Sequence, residues 1–375
     1  MRITILQGAF LPVPPLHGGA VEKLWFELGK QFASLGHDVV HVSRSHPDLP
    51  PHQQIEGVRH LRIRGHDMPA NGLLLKLYDL LYSFRAFFLL PRADILITNT
   101  FWMPILMRIP VQRKGLLVVS VERMPKGQMR LYGNVSCLLC CSQSVRLGVL
   151  RESSQFSSKA VVVPNPLPFV CNPSDDIPTK KQVILYAGRI HPEKGVDLLL
   201  RAFARACALG LTGWTLRIVG PFEVSQGGAG DRWFHSLQQL VGDSSHMVEW
   251  VGPIFNDSLL LREYSQAAIF VYPSLADRGE AFGVAPLEAM AHGAVPIVSS
   301  LPCFSDFITH DHNGFVFDHH SPDAMFTLAD QLLQLIGDPV RLSRLSVQAF
   351  HVRQTHHPRV IATQMLDLFD SLLVS

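Results

Sequence analysis

Residues 182–209 read QVILYAGRIHPEKGVDLLLRAFARACAL, and this order of apolar and polar residues decides the fold. A short β-branched run ends at a glycine, and an amphipathic helix pattern follows it. The same order recurs downstream, and strands that alternate with helices indicate a parallel sheet covered by helices. Further strands are predicted at WTLRIVG (214–220), HMVEWVG (246–252), AIFVYPS (268–274) and AVPIVSS (294–300). This half of the chain is predicted to be a doubly wound α/β domain.

The first half of the chain repeats the pattern. RITIL at residues 2–6 predicts a strand, and a helix is predicted at residues 20–35. Later strands are predicted at DVVHVS (38–43), ADILIT (93–98) and SCLLCC (136–141). The helix has a single apolar face, made of Val21, Leu24, Trp25, Leu28 and Phe32. A second Rossmann-like sheet is therefore predicted here.

Length and composition indicate where the domains divide. A chain of 375 residues favours two domains. Residues 163–181 are rich in Pro, Asp and Lys, as interdomain linkers are. We predict an N-terminal domain at residues 1–165 and a C-terminal domain at 166–358, facing each other across a cleft. A final amphipathic helix, about 359–375, can pack on either domain, including back on the first.

Bulk composition excludes some classes of protein. With 47% hydrophobic and 17% charged residues the chain is globular, and a net charge of +2 without long basic blocks argues against nucleic acid as a partner. The cysteines of VSCLLCCS (135–142) could form half of a zinc site, but a second pair at ligand spacing is missing from the sequence. They are interpreted as core thiols, and the reducing cytoplasm is the predicted compartment.

Two apolar segments bear on the membrane. The N-terminal MRITILQGAF lacks the regions of a signal peptide and instead predicts a strand. The segment at 73–90, LLLKLYDLLYSFRAFFLL, is interrupted by Lys76, Asp79 and Arg85, so it falls short of a membrane span. It is predicted to be a core helix, with peripheral contact at the inner face of the membrane as the alternative.

The loop GRIHPEKGVD (188–197) places two cations around a turn that enters a helix. Arg189 and Lys194, together with the N–H groups of a helix N-terminus, could bind a diphosphate. A solvated surface loop explains the same residues equally well.

The stretch RGEAFGVAPLEAMAHGAVP (278–296) places Glu280 before a glycine and Glu288 after it. Gly283 precedes a helix with Pro286 in its first turn, so backbone N–H groups there can approach an anion. Carboxylates accept hydrogen bonds from paired hydroxyls, so the two glutamates could hold two sugar rings. The alternatives are a helix charge for Glu288 and a solvated loop residue for Glu280.

In PPLHGGAVEKLW (14–25), Gly18 and Gly19 directly precede a helix that contains Glu22. A glycine pair after the first strand allows close approach of a phosphate-bearing ligand, but a plain turn has the same sequence.

The order of these motifs resembles that of a retaining glycosyltransferase of GT-B fold, in glycosyltransferase family 4, the group 1 glycosyl transferases. Matching pieces run through most of the chain. They are HGGAVEKLWFELGKQFASLGHDV, CCSQSVR, VVVPNPL, YAGRIHPEKGVDLLLRAF, WTLRIVGP, VEWVGPI, IFVYPSLADRGEAFGVAPLEAMAHGAVPIVSS and HNGFVF.

The resemblance implies roles for individual residues. Arg189 and Lys194 match the basic pair on the donor diphosphate, Glu280 the glutamate that holds the transferred sugar, and Glu288 the one that binds the donor ribose. The remaining donor contacts implied are Gly18 and Gly19, Gly252 near the nucleobase, and the backbone of Phe282, Gly283 and Val284.

The resemblance also implies the chemistry. A hexose moves from a nucleoside-diphosphate sugar to a glycan, lipid or small-molecule acceptor, with retention and without a metal or other cofactor. Polysaccharide biosynthesis is the process that this implies. Arg189 and Lys194 would stabilise the leaving diphosphate.

The sequence departs from the family in its first half. Relatives carry a histidine after a strand where this chain has Glu122, and another where it has Asn99 and Trp102. Glu122 either takes over a catalytic contact or forms a surface pair with Arg123 or Lys126. Trp102, Arg123 and Lys126 are the predicted acceptor-side residues.

Two other functions fit the same sequence. The first is a nucleotide-sugar epimerase of GT-B fold, which needs no acceptor, and the second is a non-catalytic relative that binds a glycan or nucleotide sugar. Arg189, Lys194 and Glu280 are all present, which favours an enzyme.

Overall fold

The computed structural model describes residues 1–16, 19–69, 71–109 and 114–374. The chain divides into two compact units, unit 1 with Met1–Val170 and His356–Ser375, and unit 2 with Cys171–Thr355. Each unit has helices between the strands of a mainly parallel sheet, so the predicted pair of Rossmann-like α/β domains is confirmed. The units divide at 170/171 and 355/356, where we predicted 165/166 and 358/359.

Unit 1 is built on a sheet of order β3-β4-β2-β1-β5-β6-β7-β8, in which β3 runs antiparallel to β4 and the other pairs are parallel. Its strands are β1 (Arg2–Leu6), β2 (Asp38–Arg44), β3 (His52–Ile55), β4 (Val58–Ile63), β5 (Ile95–Thr98), β6 (Leu116–Val121), β7 (Cys137–Cys140) and β8 (Ala160–Val162). Its helices are α1 (Ala20–Ser34), α2 (Gly72–Leu89), α3 (Met103–Leu106) and α4 (Gln143–Glu152). The buried cysteine strand predicted at residues 136–141 is confirmed as β7.

Unit 2 contains a parallel sheet of order β11-β10-β9-β12-β13-β14. Its strands are β9 (Lys181–Ala187), β10 (Thr215–Val219), β11 (Val248–Gly252), β12 (Ala267–Tyr272), β13 (Val295–Ser299) and β14 (Phe315–Phe317). Its helices are α5 (Val196–Ala208), α6 (Asp231–Gln238), α7 (Asp257–Gln266), α8 (Val284–Ala291), α9 (Ala324–Gly337), α10 (Pro339–Phe350) and α11 (Val352–Thr355). The order reverses between β9 and β12, and ligands of open α/β sheets bind at such a switch point.

The last helix, α12 (Pro358–Val374), belongs to unit 1. Its Ile361, Met365 and Phe369 join the core cluster that also contains Leu28 and Phe32 of α1. The rings of Phe32 and Phe369 meet edge to face with centroids 6.2 Å apart. The apolar face predicted for the first helix therefore packs against the sheet and against the end of the chain.

Helix α2 differs from the core helix predicted at residues 73–90. One face is buried, with Tyr82 and Ala86 inaccessible, but Leu73 is 81% exposed and Phe88 is 63% exposed. The prediction was wrong for this face because apolar residues occur on every side of the helix, so periodicity could not separate a buried side from an exposed one. Within the described residues, no helix combines the length and apolar character needed to cross a bilayer.

Candidate active site

A buried ion pair lies at the carboxyl ends of the two central strands of unit 2. Lys194 follows β9 and Glu280 follows β12, and Lys194 Nζ donates to Glu280 Oε2 at 2.7 Å. Their side chains are only 10% and 12% exposed. Lys194 Nζ also lies 5.3 Å from the centre of the Tyr272 ring, over its face. The structure thus brings together two of the predicted catalytic residues, which are 86 positions apart in sequence.

The same carboxylate oxygen accepts two neutral hydrogen bonds. Tyr272 Oη lies 3.3 Å and Ser274 Oγ 3.2 Å from Glu280 Oε2. Burial, followed by the Glu280 carboxylate, raises the pKa of Tyr272 well above its usual range, so its hydroxyl remains a donor. Three donors on Oε2 fix the orientation of the carboxylate and direct its other oxygen to further partners.

Glycine at position 195 makes this pairing possible. Gly195 caps α5 with φ of 65°, and a Cβ there would lie 2.1 Å from the carbonyl oxygen of Pro273. The backbone N–H of Leu275 donates to Glu193 O at 2.8 Å, where the same two loops come together. A larger residue at 195 would push the loops that carry Lys194 and Glu280 apart.

A cavity of about 260 Å³ lies at this edge of unit 2, over the ends of β9, β10 and β11. Its wall includes Gly188, Gly220, Phe255, Tyr264 and Ala285. A Cβ on Gly220 would lie 1.8 Å from the carbonyl oxygen of Gly188, so only glycine permits this close packing at the end of β10. The cavity combines apolar walls with exposed strand-end backbone, which suits a flat ring with polar edges.

Arg189 also lines this cavity. Its guanidinium donates to Gly227 O and to Glu193 Oε1, both at 2.9 Å, and its side chain is 45% exposed. These contacts hold the cation at the mouth of the cavity, where an anionic ligand can replace or share them. Gly252, predicted near the nucleobase, ends β11 next to the cavity residue Pro253, and its carbonyl accepts from Gly220 N at 2.9 Å.

Glu288 lies inside α8 and is buried. Its Oε2 accepts a hydrogen bond of 3.1 Å from Tyr264 Oη, and Tyr264 lines the cavity. Glu288 is therefore neither a solvated charge nor a simple helix-end charge. It is a buried carboxylate bonded to a residue of the cavity wall, and a carboxylate is suited to a pair of hydroxyls.

The N-terminus of α8 is shaped by Gly283, with φ of 90°. A Cβ there would lie 2.4 Å from the Phe304 ring. Phe282 is buried and stacks on Phe307 with ring centroids 5.0 Å apart, so its role in ligand contact would fall to its backbone. Val284 is the first residue of the helix and is half-buried. The backbone N–H groups at this end carry the partial positive charge of a helix N-terminus.

In unit 1, Glu122 directly follows β6. Its two oxygens accept from Ser120 Oγ at 2.6 Å and from Asn165 Nδ2 at 3.0 Å. The hydrogen-bond partners of Glu122 are thus Ser120 and Asn165, and not Arg123 or Lys126 as in the alternative of a surface pair. Burial raises the pKa of the Glu122 carboxyl, while the hydrogen bonds oppose the shift.

A second carboxylate, Glu22 of α1, lies in the same region of unit 1. Burial raises its pKa above the usual range, and the charge of Glu122 contributes to this rise. Gly19 caps α1 with φ of 94°, and a Cβ there would lie 2.3 Å from Glu22 Oε2. Gly19 therefore leaves room for the glutamate side chain. Gly18, also predicted to contact the donor, lies outside the described residues.

The predicted acceptor-side residues occupy different environments. Trp102 is half-buried, and its Nε1 donates to Lys76 O of α2 at 2.9 Å. Arg123 and Lys126 are exposed. The structure gives Trp102 a scaffold contact and leaves the two cations accessible.

Sequence reasoning missed Tyr272, Ser274 and Tyr264. The first two end the strand segment AIFVYPS, so their position after a strand was an available signal. Tyr264 lies on α7, where the sequence showed only a helix residue.

Residues 172–349 match the family described as "Glycosyl transferases group 1". Among curated proteins, the chain is 25% identical over 268 residues to a D-inositol 3-phosphate glycosyltransferase from a Nocardioides species, covering 69% of this chain and 54% of that protein. It is 27% identical over 150 residues to glycogen synthase 2 of Methylococcus capsulatus, covering 37% and 28% of the two chains. The chain spans about half or less of the length of these relatives.

Similarity to solved structures extends over the whole chain. Sucrose-phosphate synthase from Thermosynechococcus elongatus aligns with a TM-score of 0.79 and 19% identity, covering 100% of both chains. Anabaena Alr3699/HepE in complex with UDP-glucose aligns with a TM-score of 0.71 and 16% identity, covering 99% of this chain and 100% of that one. At these identities the likeness shows the fold. The fold is therefore that of the GT-B glycosyltransferases, and the similarity to the group 1 glycosyl transferases covers residues 172–349.

Proposed function

We propose that the protein transfers a hexose from a nucleoside-diphosphate sugar to a glycan, lipid or small-molecule acceptor, with retention of anomeric configuration. The observation that carries the proposal is the buried Lys194–Glu280 pair, which follows β9 and β12 at the same edge of the sheet as the cavity. A buried charge pair whose second carboxylate oxygen remains available is suited to a ligand that is both anionic and rich in hydroxyls.

The donor would bind to unit 2 in three parts. The base would enter the cavity near Phe255, and the ribose hydroxyls would bond to Glu288 beside Tyr264. The diphosphate would meet Arg189, Lys194 and the N-terminus of α8. Relatives of the same fold support a nucleotide-sugar donor, since the solved Anabaena protein is described in complex with UDP and with UDP-glucose.

The chemistry would rest on charge stabilisation. As the glycosidic bond stretches, negative charge develops on the diphosphate, and Lys194 and Arg189 with the helix N-terminus would stabilise it. Glu280 would hold hydroxyls of the departing hexose. We propose that this cation set makes a metal at the diphosphate unnecessary and that no resident cofactor takes part.

Unit 1 would bind the acceptor. The carboxyls of Glu22 and Glu122 both have raised pKa values, so each holds its proton to higher pH than an exposed glutamate does. Such groups can accept a hydrogen bond from a hydroxyl of the acceptor substrate or donate one to it. Exposed Arg123 and Lys126 would suit an anionic portion of that acceptor.

The donor can be identified by thermal-shift screening of the full chain against UDP-, GDP- and ADP-sugars. A ligand that binds only the folded state raises the melting temperature, and one nucleotide class should give the largest rise. The selected donor is then incubated with and without candidate acceptors, and the products are read by NMR.

We expect a retained anomeric configuration and the same rate with or without added Mg²⁺ or Mn²⁺. If an epimerised nucleotide sugar forms when no acceptor is added, the protein is an epimerase and the transferase proposal is wrong. Binding of a donor without turnover over a broad acceptor panel would support the non-catalytic relative.

We also propose that the protein works in the cytoplasm at the inner face of the membrane, through the exposed face of α2. Leu73, Leu77, Leu81, Phe84 and Phe88 recur at helical spacing, and all are exposed. At 3.6 residues per turn, basic side chains border this stripe on both sides, while the acidic residue of the helix is buried. The bordering residues are Lys76 and Arg85, and the buried one is Asp79. An apolar stripe between cations fits an anionic lipid surface.

Vesicle flotation tests this contact. The chain should float with vesicles that contain phosphatidylglycerol, less so at high salt, and the double variant L73E/F88E should not. Val340→Glu, at an equally exposed apolar position on α10, is the matched control and should behave as the parent does. Equal flotation of L73E/F88E and the parent would exclude α2 as the contact.

A further inference from the structure

Three metal-ligating side chains converge on one point at the carboxyl edge of unit 2. They are Asp277, which follows β12, and His319 and His320, which follow β14. The Nε2 atoms of both histidines lie 3.2 Å from the same carboxylate oxygen, Asp277 Oδ1. The nucleotide-sized cavity lies over β9, β10 and β11, so this cluster occupies the opposite half of the sheet edge.

The two histidine–carboxylate separations match those between adjacent ligands of a small divalent cation. With bonds of about 2.0–2.2 Å to histidine nitrogen and carboxylate oxygen, adjacent ligand atoms lie about 3.0–3.5 Å apart in tetrahedral or octahedral geometry. Two neutral imidazoles whose Nε2 lone pairs both faced the carboxylate would repel it. A cation among the three atoms removes that repulsion, because all three atoms become its ligands.

A second contact holds the ring of His319 in place. The His319 side chain is only 3% exposed, and its Nδ1 lies 3.2 Å from Ser300 Oγ, which follows β13. The Ser300 hydroxyl can accept from Nδ1–H, and in that tautomer Nε2 is free to bind a metal. The turn before His320 is fixed as well, since its backbone N–H donates to Asp318 Oδ1 at 3.0 Å.

The cluster is linked to the donor-site carboxylate by a single tight turn. The backbone N–H groups of Gly279 and Glu280 both donate to Ala276 O, at 2.9 and 3.0 Å. Asp277 lies inside this turn, and Glu280 ends it. A ligand that fixes Asp277 to the loop after β14 therefore restrains the segment that carries Glu280.

The geometry points to a Zn²⁺-type divalent metal site formed by Asp277, His319 and His320, which ties the β12–α8 loop to the loop after β14. Histidine nitrogen with one carboxylate oxygen is a donor set that zinc accepts readily. The role is structural, separate from the diphosphate, and it does not depend on the proposed transfer reaction.

Metal retention by the full chain tests the site directly. The protein is stripped with a chelator, equilibrated with ZnCl₂ and passed through a desalting column, and zinc is measured in the protein fraction. We expect the parent to retain one more equivalent of zinc per chain than the H319A/H320A variant does. His312→Ala, which removes an exposed histidine nearby, is the control and should retain as much zinc as the parent does.

Limited trypsin digestion provides a local readout. Arg278 is exposed in the loop between Asp277 and Glu280, so it is a cleavage site whose rate reports loop opening. Zinc should slow cleavage after Arg278 in the parent and in H312A, but not in H319A/H320A. A melting-temperature rise of roughly 5–10 °C is expected when free zinc is about 100 times its Kd.

Zinc retention that is the same in the parent and in H319A/H320A would overturn the proposal. So would cleavage after Arg278 that zinc slows equally in both proteins, because the ion would then act elsewhere. Melting curves of the zinc-free proteins check that the variant is folded. Hydrogen bonds from two protonated Nε2 atoms to Asp277 would explain the cluster in that case.

Discussion

Glu280 and Glu122 follow parallel strands in unit 2 and unit 1, yet they are held in opposite ways. Glu280 is paired with the buried cation Lys194, whereas Glu122 is bonded to neutral Ser120 and Asn165 and lies near the second carboxylate Glu22. A paired cation favours the charged form of a carboxylate, while burial beside another acid favours the neutral form. The two units thus hold one strand-end glutamate against a cation and the other against neutral donors near a second acid.

The largest expected effect comes from removing the carboxylate that pairs with Lys194, which is Glu280. Glu280→Gln should keep bonds from Tyr272 and Ser274 but leave Lys194 without its anion. We expect kcat to fall by about 10²–10³-fold, as when one group of a preorganised electrostatic site is removed. The measurement is steady-state transfer with the selected donor.

Glu249→Gln is the matched control for that variant, since Glu249 also pairs with a cation of unit 2, Arg217, but on the exposed strand β11. It should transfer at the parental rate. An unchanged kcat in Glu280→Gln, with a normal melting curve, would remove Glu280 from the donor site.

The second-largest effect is expected at Asp79. It tests whether other carboxylates of unit 1 are also destabilised in their charged form. Burial raises the pKa of Asp79 on α2 to about 6, while the bond from Phe101 N opposes the shift. The folded state therefore holds a proton that the unfolded state releases near pH 4, and stability falls as pH rises from about 4 to 6. Asp79→Asn should stabilise by up to about 3 kcal/mol above pH 7 and by little near pH 4.

Chemical denaturation at pH 4.5 and pH 8 measures that gain. Asp367→Asn alters an exposed aspartate of the same unit and should change stability little at either pH. A stabilisation of equal size at both pH values would show that the charge of Asp79 is not the cause.

A smaller effect is expected at the mouth of the cavity. Arg189 is half-exposed and already bonded to Gly227 and Glu193, so its removal costs one charged contact to the donor. Arg189→Ala should weaken donor binding about tenfold, with the melting temperature nearly unchanged. Isothermal titration calorimetry measures the Kd of the donor. Arg201→Ala, at an exposed position on α5, is the control. Parental affinity in Arg189→Ala would place the diphosphate elsewhere.

The smallest effect is expected at Glu122. Glu122→Gln replaces an acid of raised pKa with a neutral isostere, so the stability difference from the parent should stay within about 1 kcal/mol. Its sign is informative. The folded parent loses stability as pH rises through the raised pKa of Glu122, and the variant does not, so the variant should gain relative to the parent with rising pH. A relative loss with rising pH would mean that Glu122 is held as a charge, like Glu280.

The two units also differ in how far sequence reasoning could reach. In unit 2, Lys194, Glu280 and Glu288 were found because each stands at a strand end or in a motif. In unit 1, one partner of Glu122 is Asn165, 43 positions away, so the sequence could not decide between a catalytic contact and a surface pair for Glu122.

Some features could not be read from local pattern at all. Tyr264 reaches the cavity from a helix, and its contact with Glu288 depends on how α7 packs beside α8. Helix α2 is apolar on most sides, so its exposed stripe appears only when its packing is known. The Asp277 cluster joins loops 42 residues apart, and the sequence showed neither half of it as a ligand.

The position of α12 has a consequence for how the chain is made. Unit 1 is encoded in two pieces, and the piece that covers the apolar side of α1 follows all of unit 2. During synthesis unit 2 can complete its core while Phe32 and its neighbours still lack Phe369 and the rest of that helix. Unit 1 can therefore complete its core only after unit 2 has been made, and until then the apolar face of α1 stays uncovered.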